Sequence, residues 1–134
     1  MTSTGMAMLF PHEAVTDDVT VRVAVSFLAE QSAPASGRWF WSYHIRIENH
    51  GVANVQLLAR SWTITDGRGA VHEVRGEGVV GEMPTIAPGA AYDYVSGCPL
   101  PTATGRMTGS YQMVDETGRS FDVAIPTFPL VGPA

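Results

Sequence analysis

Apolar and polar positions alternate with a period of two along most of this chain, which is the pattern of strands with one buried face. Val19, Val21, Val23, Val25 and Phe27 point one way, and Thr20, Arg22, Ala24 and Ser26 the other. Trp39, Trp41, Tyr43, Ile45 and Ile47 form the clearest such row, with Phe40, Ser42, His44, Arg46 and Glu48 on the opposite face. Residues 55–65 read as a third strand whose alternation slips at Leu57-Leu58, as a bulge or burial on both faces would make it slip. Shorter alternating runs follow at 71–75, 91–98, 107–114 and 121–125, the last stopped by Pro126.

Turn chemistry separates these runs. Asn49-His50-Gly51, Asp66-Gly67-Arg68-Gly69 and Asp115-Glu116-Thr117-Gly118 supply the residues that accept positive φ. Met83 to Gly89 contains Pro84 and Pro88, so neither a helix nor a central strand fits there. The sum is about seven strands with no amphipathic helix. That predicts an all-β domain, and single-faced strands favour a β-sandwich over a barrel. Residues 1–16 read as a loosely ordered N-terminal segment, and 17–130 as one sandwich domain.

Several segments, in order, resemble the ApaG family: IENHG at 47–51, VQLLAR at 55–60, WTITD at 62–66 and EVRGEGVVGE at 73–82. APG at 87–89, SGCPL at 96–100, GSYQM at 109–113 and Ile125-Pro126 with Phe128 continue the resemblance. It implies an immunoglobulin-like or fibronectin type III-like β-sandwich. Related domains in eukaryotic F-box and polymerase-interacting proteins look like protein-interaction modules. The bacterial name is linked with cobalt or magnesium homeostasis. The family carries no established catalytic residues.

Composition narrows the function. The chain of 134 residues carries a formal net charge of -5, and all eight positive charges are arginines. An acidic surface repels phosphate backbones, so nucleic acid is not expected as a partner. No apolar run approaches the length of a membrane helix, and residues 1–10 lack the charged start of a secretory signal, so no membrane partner is expected. Cys98 is the single cysteine and cannot form an internal disulfide. A reducing, cytoplasmic location is the expectation.

Gly76, Gly78 and Gly81 spell the G-x-G-x-x-G dinucleotide fingerprint. That chemistry needs a helix directly after the glycines to hold the pyrophosphate. Pro84 and Pro88 forbid one, and Glu77 would set a carboxylate beside the phosphates. Backbone amides of a glycine-rich turn can still gather into an anion nest, which keeps weak phosphate or pyrophosphate binding open as an alternative. A divalent cation at the same loop is the other form of that alternative.

His12, His44, His50 and His72 have no close ligand spacing, so neither a metal nor another cofactor is expected. No Gly-x-Ser-x-Gly elbow occurs and Cys98 has no redox partner, so the chain reads as no enzyme. The expected role is a non-catalytic binding module for a protein or peptide. Candidate contact residues are Arg75, Gly76, Glu77, Gly78 and Gly81, with Phe40 as an aromatic anchor on the polar face of its strand. Arg60 and Arg106 also lie near the family-like segments.

Overall fold

The structure, a computed structural model, describes residues 3–133. It contains nine strands: β1 (His12–Thr16), β2 (Val19–Phe27), β3 (Trp39–Asn49), β4 (Val55–Asp66), β5 (Val71–Glu77), β6 (Thr85–Ile86), β7 (Ala91–Leu100), β8 (Thr104–Asp115) and β9 (Ser120–Val131). One short helix, α1 (Ser3–Leu9), and two single 3-10 turns, Ala29–Gln31 and Pro34–Ser36, complete it. The strands form two antiparallel sheets stacked as a sandwich, one in the order β1-β2-β3-β7 and the other β5-β4-β8-β9, with β6 paired to β4.

The core holds the inward rows read from the alternation, with Phe128 and Leu130 added beyond them. Val21, Val23, Ile45, Ile47, Leu57, Tyr111, Val123 and Leu130 are fully enclosed. Tyr43, Trp62 and Phe128 pack as a trio with ring centroids 5.4–6.0 Å apart. Trp41 is 1% exposed, and its indole Nε1 donates to the carbonyl of Val131 at 3.0 Å. A buried amphipathic ring with its one donor satisfied contributes both area and register. Asn49 closes the turn after β3: its Nδ2 donates to Ala53 O and Ile86 O, and its Oδ1 accepts from the Gly51 N–H.

The slip at Leu57-Leu58 is a bulge. Leu57 pairs with Met113 and Ala59 with Gln112, so Leu58 is the extra residue. Three features depart from the sequence reading. Residues 12–16, grouped there with the loosely held N-terminal segment, form β1 along β2. Alternation of His12, Ala14 and Thr16 inward with Glu13 and Val15 outward is too weakly apolar to register as a strand. Phe10 is also buried, its ring edge-on to His44 at 4.9 Å; Met1 and Thr2 of that segment lie outside the described residues. Thr85-Ile86 pair with β4 despite the flanking prolines. β9 continues beyond Pro126 to Val131. Here the ladder slips between Met107 and Gly109, and β9 is an edge strand, so a missing amide hydrogen at Pro126 or Pro129 is tolerated.

The sandwich is closed along one side and open along the other. On the closed side β9 packs against β1 and β2, and the Ala124 N–H donates to Thr16 Oγ1 at 3.0 Å. On the open side the edge strands β5 and β7 stand apart, with a cleft between the sheets. A chain of charges covers the outer face of the first sheet: Glu13 with Arg22, Arg22 and Arg46 with Glu48, and Arg46 and His44 with Asp93.

Candidate functional site

The glycine segment is a tight hairpin appended to β5. The N–H of Val79 donates to Glu82 O and the N–H of Glu82 to Val79 O, both at 2.8 Å. The two residues between, Val80 and Gly81, have φ of 43° and 81°. Positive φ at both central positions is the mark of a type I′ turn, whose twist matches that of the flanking chain. Val80 is β-branched and strained in that region. Gly78 has φ of 60° and is buried, and a Cβ there would overlap the Glu82 carbonyl. The N–H groups of Gly78, Val79 and Glu82 are all bonded to backbone carbonyls. Fewer amides therefore remain for a phosphate nest than the spelling of the motif suggests, and the chain runs on into β6, not a helix.

The arginine that serves this hairpin comes from β4. Arg60 pairs with Gly76 across the strands, and its Nη1 donates to Glu77 O at 3.0 Å and to Gly78 O at 2.8 Å. A Cβ on Gly76 would come within 3.0 Å of the guanidinium. The bulge explains why Arg60 points inward. Leu57 faces the core, and one extra residue inverts the parity so that Arg60, Trp62 and Ile64 face it too. Arg75, by contrast, is exposed on the outer face of β5, and its side chain has no hydrogen bond or ion pair among the described residues. Glu77 shares that outer face, whereas Gly76 lies on the inner one beside Arg60. Phe40 is half-buried, its ring covering the bare backbone of Gly97 across β3 and β7.

β5 is an edge along its whole length. Its ladder with β4 is bracketed by Asp66 N–H to Ala70 O at 2.9 Å and Gly78 N–H to Leu58 O at 2.8 Å. Backbone bonding alternates residue by residue in an antiparallel pair, so the main-chain groups of Val71, Glu73 and Arg75 point away from β4; the carbonyl of Glu77, at the strand's end, is taken by Arg60. Val71, Val74, Val80 and Met83, four of the large apolar residues on the surface, sit on β5 and its hairpin. The other edges are blunted: β9 by Pro126, Pro129 and its contact with β1, and β7 by Pro99.

The cleft behind β5 has a volume of about 330 Å³. Tyr43, Trp62, Ile64 and Met107 floor it, His72 and Val74 wall it from β5, and Ser96, Cys98 and Leu100 from β7. In the core, outside the lining of the cleft, the hydroxyls of Tyr94 and Tyr111 meet at 2.5 Å and join the two sheets. Burial raises the pKa of Tyr43 and Tyr94, and the positive charge of Arg60 works against that rise in both. Burial pushes the Cys98 thiol up to about 11, the reverse of nucleophile activation. Neither Ser96 nor Cys98 is hydrogen-bonded to His72. Among the described residues no group of three or more His, Cys, Asp or Glu could hold a metal ion, and no helix is long and apolar enough to cross a membrane.

A family model described as the ApaG domain matches residues 29–115. Protein ApaG of Caulobacter vibrioides is 56% identical over 119 residues, covering 89% of this chain and 85% of that protein. Protein ApaG of a Bradyrhizobium species (strain ORS 278) is 53% identical over 122 residues, covering 91% and 94%. Among solved structures, one described as an ApaA protein from Bordetella pertussis superposes with a TM-score of 0.84 at 46% identity, covering 87% of this chain and 94% of that one.

Proposed function

The chain belongs to the ApaG family, and we propose that it works there as a non-catalytic module that binds a protein partner by strand addition to β5. The observation that carries this reading is an edge strand with no proline or bulge, its outward backbone groups at Val71, Glu73 and Arg75 without a hydrogen-bond partner among the described residues, and exposed apolar residues on it and its hairpin. An extended segment of a partner gains main-chain bonds along such an edge, and alternate side chains supply specificity. Glu73, Arg75 and Glu77 form an alternating row of charges on the outer face, none of them ion-paired among the described residues. A partner strand with complementary charges would fix its register on that row. The type I′ hairpin, tied down by Arg60, forms a rigid end stop beside it, so little ordering entropy is lost on binding.

The cytoplasm is the compartment where such a partner is sought. The test is capture of a partner from cell extract by the purified chain, with and without chelator. A partner retained under chelation and lost with Glu73→Pro supports strand addition, because proline removes an outward N–H that β4 does not use. Capture unchanged by Glu73→Pro sinks it. Titration with pyrophosphate, Co²⁺ and Mg²⁺ tests the alternative of an anion or cation at Gly76, Gly78 and Gly81; tight saturable binding there would replace the present reading.

A further inference from the structure

Strand addition uses the outer rim of β5 and leaves the cleft behind it unexplained. Three of the eight arginines are not exposed: Arg22, Arg46 and Arg60. Arg22 and Arg46 are matched by Glu13, Glu48 and Asp93. Arg60 alone of the three has no carboxylate partner among the described residues. Its Nη1 is occupied by the carbonyls of Glu77 and Gly78, which fixes the plane of the guanidinium. The remaining Nε and Nη2 donors form the side-by-side fork that suits a carboxylate. Around that cation the lining combines apolar residues, Trp62, Ile64, Val74 and Leu100, with the polar Tyr43, His72 and Ser96. Its volume, about 330 Å³, sits at the lower end of small-molecule sites.

We infer that the cleft between β5 and β7 is a binding site for a small organic monocarboxylate, its carboxylate on the Nε and Nη2 edge of Arg60 and its apolar body against Trp62, Ile64 and Val74. One guanidinium matches one negative charge. A phosphate or diphosphate would bring more charge than Arg60 alone can neutralise. The apolar lining supplies the area that holds the body of the ligand. The site is independent of strand addition, since it lies on the inner face of β5 and strand addition uses the rim.

The experiment is calorimetric titration of the full chain with 4-phenylbutyrate, with 4-phenylbutanol and with inorganic phosphate, alongside tryptophan emission, to which Trp62 in the cleft floor contributes together with Trp39 and Trp41. Saturable binding of 4-phenylbutyrate, at least tenfold weaker binding of the alcohol and no saturable binding of phosphate are expected. Arg60→Lys keeps the charge and loses the fork, and should weaken 4-phenylbutyrate at least fivefold. Because Arg60 also holds the hairpin, Val74→Trp provides a second arm: it fills the cleft from the edge strand without touching Arg60 and should abolish binding while the circular dichroism spectrum is unchanged. Glu73→Pro should leave 4-phenylbutyrate binding at the parental level, which separates this site from strand addition. Equal binding of acid and alcohol overturns the inference. So does phosphate binding as tight as the carboxylate, parental affinity in folded Val74→Trp, or the absence of saturable binding to the unaltered chain.

Discussion

The guanidinium of Arg60 lies within 3.0 Å of where the Cβ of any residue other than glycine would stand at position 76. The two are cross-strand partners on the inner face of β4 and β5, and the bare backbone of Gly76 is what lets Arg60 reach the carbonyls of Glu77 and Gly78. The glycines of the hairpin are therefore not interchangeable, and substitution should grade them.

Gly76→Ala meets only the mobile end of a side chain. The guanidinium shifts, its hydrogen bonds weaken, and the loss should be about 1 kcal/mol. Gly78→Ala meets the backbone carbonyl of Glu82 at positive φ and has no such escape. Backbone strain alone costs about 1–3 kcal/mol there, and the overlap adds to it. Denaturant unfolding of the two variants should rank Gly78→Ala clearly below Gly76→Ala; equal stabilities would mean the hairpin is not built as described.

Val80 is the opposite case, a residue whose replacement should help. It is 57% exposed at the tip of the type I′ turn with φ of 43°, a conformation that β-branched side chains resist. Val80→Asn creates the Asn-Gly pair that this turn favours. Stability should rise by about 1 kcal/mol, seen as an increase of a few degrees in the midpoint of thermal unfolding. A decrease would show that Val80 makes a contact the isolated chain needs.

Trp41 anchors the first sheet to the end of β9. Trp41→Ala removes a large buried ring and a hydrogen bond to Val131, and should cost about 3–5 kcal/mol. Chemical denaturation measures it, and a loss under about 1 kcal/mol would place the ring on the surface.

Acid should destabilise the fold in two steps. Burial lowers the pKa of His12, packed on Phe128, below its usual 6.5. A base with a depressed folded-state pKa favours the fold while neutral, so this contribution is full above pH 6.5 and declines as pH falls below it. Burial alone would raise Glu48, but His50, Arg46 and Arg22 together outweigh it and hold its carboxyl below the usual 4.5. That contribution is present above pH 4.5 and is lost as pH falls through the lowered value. Glu48→Gln should flatten the lower step and cost about 1–3 kcal/mol at neutral pH, because the buried Arg22 then keeps only the exposed Glu13 as a charge partner. Melting temperatures across pH 3–8 for parent, His12→Gln and Glu48→Gln give the profile.

Much of this architecture is legible in the alternation. The inward row from Trp39 to Ile47 is inward in the fold, and the slip at Leu57-Leu58 is a bulge. What escaped is the consequence of that bulge: it turns Arg60 into the cleft, and a reading of local motifs looks for the arginine next to the glycines, at Arg75. Phe40 escaped for a similar reason. Period-two counting assigns it to the outer face correctly, but only the pairing of β3 with β7 shows that Gly97 lies under its ring. β1 left almost no signal, because an edge strand with one half-buried face needs few apolar residues. Pro126 misled in the opposite direction, since a proline ends a central strand but not an edge one.

The closed side of the sandwich has a consequence for synthesis. β1 and β2 leave the ribosome well before β9, which lies against both. Until then Val19, Val21 and Val23 on β2 lack the strand of the opposite sheet that packs against β2. Completion of the core therefore waits on translation of β9, and the nascent chain spends that interval with this part of its apolar face open to water and to other chains.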